Sequence, residues 1–384
     1  MSFGVLALIV CVGLAGPAFA TARPLLLPVV VGEIAAGIVI GKTGFQWLDT
    51  SNGTLLFLSS VGFAMLMFSV GMHVPIRDRE LLGSIRRGAL AAGVAAALAI
   101  PGGFLLSRFQ GADHPAVFAL LLATGSAAIL LPVLDDARML GRPDGLTVLA
   151  QVTVADVASI VALPLVLEPS RAVRSVLGTI AVVACALAIL LAAHFARGLG
   201  IVRRVRKLSK EYQWAMDLRV SLLVLFFLAW LATRIGTSVL IAGFAVGLMA
   251  AWLGGPKRFS RQVVGVAQGL FVPLFFVVLG AQIDLRAIGD RPSLIALAAA
   301  IVGLNVVVHL VAALVTKQAP AAGLVATAQL GVPAAVVAVG LQEGVIDPGV
   351  GGAIIAAALA SVGLTVAGVS MLRGSAAAPA SAAA

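Results

Sequence analysis

One acidic residue, Asp156, lies near the middle of an apolar segment that spans residues 144–167. Thr153 and Ser159 stand three residues before and after it, so a helix would place all three side chains on one face. A carboxylate inside a membrane span is costly, and by default it marks a functional site. The structural alternative is an acid that stays protonated or pairs with a buried base. The pattern favours a carboxylate that binds a cation or a proton, with hydroxyl oxygens beside it.

The preceding apolar segment, residues 115–135, is interrupted by Thr124-Gly125-Ser126 and again by Pro132. Transporters use such broken spans to bring helix dipole ends and free carbonyl groups to the middle of the bilayer. We therefore expect Thr124 and Ser126 to supply oxygen ligands close to Asp156.

A second broken span is predicted in residues 319–342, where Leu330-Gly331-Val332-Pro333 corresponds to the first interruption. Gly and Pro at matching places in two segments are a sequence signal for a transport site. Gln329, directly before this interruption, offers a further oxygen to the ion.

Three further candidates lie within apolar segments. Asn305 and His309 are four residues apart, so they share a helical face, and His309 is a candidate partner that tunes Asp156. The alternative for His309 is a satisfied packing group. Glu33 is either a second functional acid or a helix-packing group at a subunit interface.

The composition identifies the elements that must position these residues. Of 384 residues, 61% are hydrophobic and 11% are charged, whereas soluble domains have roughly 45–50% and 25%. The apolar segments are continuous over ~17–25 residues, the length of a spanning helix, whereas barrel strands alternate over ~10 residues. This predicts an all-α polytopic membrane protein and excludes a soluble enzyme. Thirteen segments are expected, at about 3–20, 24–41, 54–72, 88–107, 115–135, 144–167, 173–196, 218–234, 237–253, 262–282, 292–316, 319–342 and 350–372.

The basic residues predict the orientation in the cell membrane. With the N-terminus outside, 19 of the 26 Lys and Arg residues fall in inside loops and 7 in outside loops, as the positive-inside rule requires. The C-terminus would then be cytoplasmic. This distribution explains the net charge of +10 without a nucleic-acid partner. No Lys or Arg precedes the first apolar run, so residues 1–20 are expected to be a retained span and not a cleaved signal.

The chain also shows an internal organisation. A first repeat at about 1–167 and a second at about 218–372 flank a linker at about 173–217, and residues 373–384 form a low-complexity tail that we expect to be disordered. The fifth and twelfth spans are seven apart, an odd number, so they cross the membrane in opposite senses and the repeat is inverted. The basic stretch at 197–217 is either an amphipathic linker helix or a solvated connector. No metal-ligand spacing or nucleotide-binding motif occurs, and no cofactor is expected.

Four stretches resemble the monovalent cation:proton antiporters, in particular the Kef-type potassium/proton and NapA-type sodium/proton exchangers. The resemblance implies thirteen helices in two inverted six-helix repeats, a core domain with two broken crossing helices (115–135 and 319–342), and a dimerisation domain that forms a homodimer. It also implies that Asp156 binds the ion and that the core domain moves to expose it alternately. The four stretches are Leu27–Gly44, Phe68–Val74, Thr124–Leu167 and Pro273–Leu285.

The chain departs from this family's pattern at three places. Ala155 stands where the family usually has Asn, Asp or Gln, His309 where a buried Lys is common, and Val332-Pro333 near the place of a Gly-Glu pair. The activity implied is exchange of Na⁺ or K⁺ for H⁺, and a single site acid makes electroneutral exchange the simplest stoichiometry. Two alternatives stay open: a sodium-coupled symporter of an organic anion, which would need a basic residue deep in a span, and a channel-like relative that no longer exchanges ions.

Overall fold

The regular structure in the computed structural model is helical, and no strand occurs in the part of the chain that it describes. The described residues are 2–21, 29–73, 79–109, 113–167, 172–198, 205, 207–208, 211–212, 214–254, 257–284, 286 and 291–375. Ten of the 21 residues in the basic stretch at 197–217 lie outside this set, and residues 376–384 of the predicted tail lie wholly outside it.

The first half of the chain forms nine described helices. They are α1 (Phe3–Gly13), α2 (Ala15–Ala20), α3 (Val29–Ile40), α4 (Gly53–His73), α5 (Arg79–Leu106), α6 (Pro115–Ala123), α7 (Ala127–Asp136), α8 (Pro143–Leu167) and α9 (Ala172–Gly198). The second half has α10 (Met216–Ile235), α11 (Val239–Leu253), α12 (Lys257–Val266), a π-helical turn (Ala267–Phe271), α13 (Val272–Gln282), α14 (Pro292–Val315), α15 (Pro320–Ala326), α16 (Gly331–Gln342) and α17 (Pro348–Ser375).

Ten stretches of the described helices are long and apolar enough to cross a membrane, and two shorter apolar helices, α3 and α11, add to them. The chain is therefore an all-helical, multi-pass membrane protein, while the count of thirteen spans stays a prediction. The segment predicted at 3–20 is not one straight helix, because it divides at Leu14. Pro17 has no N–H to donate to the Gly13 carbonyl, and its ring crowds that group, so α1 ends at Gly13.

The described residues divide into two compact units. The first takes in Met1–Val10, Ser51–Arg77 and Glu168–Phe276. In this unit side-chain hydrogen bonds connect α9 to the last residue of α10 and to Thr237, which follows it. Arg174 Nε donates to the Ile235 carbonyl at 2.9 Å, and the hydroxyls of Thr179 and Thr237 are 3.2 Å apart.

The second unit takes in Cys11–Thr50, Asp78–Leu167 and Val277–Ala384, and it contains every candidate site residue. It holds two sets of three elements in the same order: a long helix, a broken pair and a second long helix. The sets are α5, α6–α7, α8 and α14, α15–α16, α17. Both broken pairs begin with a proline at the first helical turn, where its missing N–H is not needed.

Helix α8 lies at the centre of the second unit. It is in contact with α5, α6, α7, α15 and α16, and most of its residues are buried. Burial on all sides by neighbouring helices accounts for the apolar residues that α8 carries outside the face of Thr153, Asp156 and Ser159. The fold therefore places the middle of α8, including Asp156, away from bulk solvent. Val148 of α8 belongs to a buried apolar cluster that also contains Leu130, Leu134, Val325 and Ala328.

Candidate ion-binding site

The first predicted break is present between α6 and α7. Thr124 and Ser126 have extended backbone conformations, with φ of −80° and −137°. Gly125 passes so close to α8 that a Cβ at this position would lie 2.8 Å from a side-chain carbon of Val152. The sequence thus breaks the helix with a residue small enough to approach its neighbour. The second interruption predicted at Pro132 is wrong, because α7 continues through it to Asp136.

The break and Asp156 meet directly. Asp156 is buried on α8, and its Oδ2 accepts a hydrogen bond of 3.2 Å from the backbone N–H of Ala127, the first residue of α7. That N–H is one of the first four of a helix, which have no partner inside the helix. The positive end of the helix dipole also favours a negative group at this position. The two features that the sequence analysis paired are therefore in contact.

The four hydroxyl groups predicted to accompany Asp156 are all buried in the same unit. Thr153 Oγ1 donates to the Leu149 carbonyl of its own helix at 2.7 Å. Thr124 Oγ1 makes a longer contact of 3.3 Å with the Gly125 carbonyl, and Ser126 makes no capping bond to α7. Ser159 lies on α8 beyond Asp156. Thr124 and Ser126 thus lie at the break whose following helix, α7, donates to Asp156.

The second break lies three residues earlier than predicted. The chain leaves helical geometry at Thr327 and returns to it at Gly331, so the break is 327–330 and not 330–333. Val332 and Pro333 belong to the first turn of α16. Proline is tolerated there because the N–H of a first-turn residue has no intrahelical acceptor. Pro333 therefore marks the start of a helix and not its interruption.

Gln329, within this second break, makes several hydrogen bonds. Its Nε2 donates to the Leu121 carbonyl of α6 at 2.7 Å and to Asn305 Oδ1 at 3.0 Å. Its backbone N–H donates to Ser361 Oγ at 3.2 Å. Asn305 Nδ2 in turn donates to the Thr327 carbonyl at 3.2 Å. The structure therefore joins Gln329 and Asn305 in one buried network.

His309 is buried on α14, one helical turn from Asn305. Its ring interacts with the backbone of Thr124 in the first break. Neither ring nitrogen has a hydrogen bond of good geometry among the described residues. His309 thus lies next to the first break, and its influence on Asp156 stays a prediction.

Glu33 lies apart from this network, on α3. It is 2% exposed, and its Oε2 has no hydrogen-bond partner among the described residues. A Cβ at Gly16 of α2 would lie 2.8 Å from Glu33 Cγ, so the absence of a side chain at Gly16 makes room for the acid. On its other side α3 packs against α13, where Gly280 approaches the Ile34 carbonyl.

The sequence analysis missed two polar residues in the second unit. Ser361 on α17 corresponds to Asp156 on α8, and the same separation relates the first residues of these helices and of the broken pairs (156 to 361, 143 to 348 and 115 to 320). That constant separation was a usable signal. Gln151 on α8 is buried, and its Oε1 accepts a hydrogen bond from Gln318 at 3.4 Å. Its only signal was a polar residue in an apolar segment.

The electrostatics of the site are simple. Within the described part of the chain the buried acids are Glu33 and Asp156, and no Lys or Arg is buried there. No group of three or more potential metal ligands occurs among the described residues. The site therefore offers one carboxylate, hydroxyl oxygens and backbone dipoles, which suits a monovalent cation or a proton.

A helical membrane protein with two broken spans that meet beside a buried acid is of the secondary-transporter class. The chain belongs to the family described as "Sodium/hydrogen exchanger, transmembrane", whose model matches residues 6–372. This is a transporter family and not an enzyme family.

Curated antiporters are similar to much of the chain. The Na⁺/H⁺-K⁺ antiporter GerN of Bacillus cereus is 28% identical over 274 residues, which cover 69% of this chain and 67% of that protein. The putative Na⁺/H⁺ antiporter YjbQ of Bacillus subtilis is 24% identical over 367 residues, which cover 87% of this chain but only 57% of that protein. The chain thus spans between about half and two thirds of the length of these two relatives.

The fold is similar to a solved structure, that of the sodium proton antiporter MjNhaP1 from Methanocaldococcus jannaschii at pH 8. The TM-score is 0.67, and the match covers 97% of this chain and 98% of the other. The sequence identity is 17%, so the likeness shows the fold alone.

Proposed function

We propose that this protein exchanges a monovalent cation, Na⁺ or K⁺, for H⁺ by alternating access, with Asp156 as the group that binds either one. The observation that carries this proposal is the contact between the Asp156 carboxylate and the first N–H of α7. A buried carboxylate at a helix break has the geometry of an ion site and not of a packing group. The relatives' names as Na⁺/H⁺ and Na⁺/H⁺-K⁺ antiporters support the same reading.

Coupling follows from charge. A carboxylate that binds a proton or a monovalent cation is neutralised by either one, whereas binding both would leave a net positive charge in an apolar site, which is costly. The two ligands therefore exclude each other. An unoccupied carboxylate would be a buried negative charge, so the site changes sides only with one of them bound, and this couples the two fluxes. Thr124 and Ser126 would complete the cation's oxygen shell together with carbonyl groups freed at the break.

Electroneutral exchange is the simplest stoichiometry. The support is that the acids buried among the described residues are Asp156 and Glu33, of which Glu33 lies on α3 outside the two breaks, and that no Lys or Arg is buried there. Exchange of one proton for one cation then leaves the charge of the site unchanged. A membrane potential imposed on proteoliposomes should leave the exchange rate unaltered.

The test of the function is exchange in proteoliposomes. The wild-type protein should acidify or alkalinise the lumen in response to gradients of Na⁺, K⁺, Li⁺ or Rb⁺. Exchange rates measured with each cation at several pH values should show which cations compete with protons. Asp156→Asn keeps the size of the side chain and removes the charge, so exchange should fall to the level of empty vesicles. Undiminished exchange by this variant would overturn the proposal. Thr179→Val, in the first unit and outside the site, serves as the control for reconstitution.

Homodimerisation, N-terminus-out orientation and location in the cell membrane belong to the same proposal. Only 17% of the most apolar stretch of α9 and of α10 is buried within the chain. These helices leave large apolar side chains for a partner copy or for lipid, among them Leu177, Leu187, Leu223 and Phe227. Native mass spectrometry from lipid nanodiscs would show a mass of two chains if the dimer forms.

A further inference from the structure

Gln329 connects the two breaks. Its side-chain amide donates two hydrogen bonds, to the Leu121 carbonyl at 2.7 Å and to Asn305 Oδ1 at 3.0 Å. Leu121 belongs to the last turn of α6, whose carbonyl groups have no partner further along the helix. A residue of the second break thus holds the carbonyl end of the helix that leads into the first break.

Two further residues fix Gln329 and its segment. Asn305 Nδ2 donates to the Thr327 carbonyl, at the end of α15, while its Oδ1 accepts from Gln329. Ser361 Oγ accepts from the Gln329 backbone N–H at 3.2 Å and donates to the Ala358 carbonyl at 2.7 Å. All four polar residues, Gln329, Asn305, Thr327 and Ser361, are 3% exposed or less. The polar groups of the second break therefore bond to one another.

The first break is arranged differently. The Ser126 hydroxyl makes no capping bond to α7, and the Thr124 hydroxyl makes only the 3.3 Å contact with the adjacent carbonyl. Asp156 accepts one backbone N–H through one of its two oxygens. Oxygen lone pairs are therefore left for a ligand at the first break.

We propose that Gln329 is a positioning residue, which holds the end of α6 so that the cation is bound by Asp156 and the first break alone. Both N–H groups of its amide are used on protein oxygens, which fixes the side chain between α6 and α14. The one atom of the side chain that could bind a cation is Oε1, and the apparent KM of Gln329→Ala reports whether it does. Asn305 and Ser361 act through Gln329. This inference rests on the proposed function, since it assigns the ligands of that same site, and it differs from the sequence-based expectation that Gln329 binds the ion.

The test separates cation binding from turnover in proteoliposomes. Gln329→Ala removes both side-chain hydrogen bonds, and loss of the one to the Leu121 carbonyl should lower the maximal exchange rate about tenfold, the kinetic equivalent of ~1.4 kcal/mol. The apparent KM for Na⁺ and K⁺, and the ratio between them, should stay within about twofold of wild type because no ligand is removed. Ser126→Ala and Thr124→Val should instead raise the apparent KM, since they remove ligand oxygens. The double variant Gln329→Ala/Asn305→Ala should be no slower than Gln329→Ala, because the two residues act as one network.

A second variant keeps the test decisive if Gln329→Ala fails to fold, which size-exclusion chromatography in detergent would show. Ser361→Ala removes the acceptor of the Gln329 N–H, and it should show the same fall in rate at constant KM, whereas Ser361→Thr keeps the hydroxyl and should restore the rate. A KM or Na⁺/K⁺ ratio changed tenfold by Gln329→Ala would make Gln329 a ligand and overturn the proposal, as would wild-type rates for both alanine variants. Exchange that persists in Asp156→Asn would contradict the proposed function itself, and this outcome is distinct from any result for Gln329→Ala.

Discussion

Asp156 and Ser361 stand at matching positions of α8 and α17, and each accepts a hydrogen bond from a backbone N–H in or directly after the break of the preceding broken pair. The donor to Asp156 is Ala127 at 3.2 Å, and the donor to Ser361 is Gln329 at 3.2 Å. One member of the pair carries a charge and the other does not. The second unit thus contains two matching sets of helices, and of these two positions only that of the first set is an acid.

The Ala127–Asp156 hydrogen bond predicts a difference between two variants. Asp156→Asn keeps an oxygen acceptor for the Ala127 N–H, so the thermal unfolding midpoint in detergent should stay close to wild type. Asp156→Ala leaves that N–H unsatisfied, at a cost of about 1–3 kcal/mol. The midpoint should therefore fall for alanine, while exchange is lost in both. Equal midpoints for the two variants would show that this hydrogen bond contributes no stability.

The close approach of Gly125 to α8 predicts that no side chain is tolerated there. Gly125→Ala would press a methyl group against Val152, so it should destabilise the protein by about 1–3 kcal/mol and move the break away from Asp156. Exchange should fall with it. The matched control is Gly303→Ala on α14, where a Cβ meets nothing within 4 Å and the substitution should be neutral or stabilising by about 0.5–1 kcal/mol. Wild-type exchange by Gly125→Ala would contradict the packing seen at the break.

His309 next to Thr124 predicts an effect on the pH profile of exchange. If the imidazole influences Asp156 through the first break, His309→Ala should move the pH of half-maximal exchange, and His309→Gln, which keeps polar atoms at this position, should move it less. The measurement is the exchange rate in proteoliposomes at a fixed cation gradient over a range of pH. A profile that keeps its position in both variants would assign His309 to packing.

Substitution of Glu33 should affect stability and exchange in the opposite way to substitution of Asp156. Its buried Oε2 has no described partner, and replacement of an unpartnered buried polar group by an apolar one of similar shape is often neutral or stabilising. Glu33→Met should therefore keep the unfolding midpoint or raise it, with exchange within about twofold of wild type. Loss of exchange in a stable Glu33→Met protein would give this acid a direct part in transport.

The positive-inside distribution predicts which loops face the cytoplasm. A single cysteine at Lys42 should react with an impermeant maleimide added to intact cells, and one at Lys317 should react only after the membrane is opened. Both side chains are exposed, so reactivity reports the side and not burial. The background would carry Cys11→Ala and Cys185→Ala. Labelling at Lys317 but not at Lys42 in intact cells would show the opposite orientation, with both loops on the other side of the membrane.

The sequence by itself identified the acid and the break that it meets. Asp156 and Ala127 are 29 residues apart, on neighbouring helices joined by a short turn, so their contact follows from chain proximity. The polar groups of Thr124, Ser126 and Asp156 stand out because an apolar environment makes each of them costly. The same reasoning failed at Pro333, because proline breaks a helix or begins one according to its position in the first turn.

Only the tertiary structure decided what the second break does. Gln329 and Leu121 are 208 residues apart, and their hydrogen bond exists because the two broken pairs lie next to each other in the folded second unit. Nothing in the local sequence distinguishes an amide that binds an ion from one that holds a distant carbonyl, since both are buried polar groups among apolar neighbours. The difference depends on which groups lie within about 3 Å of the amide nitrogen and of Oε1, and folding alone sets those distances.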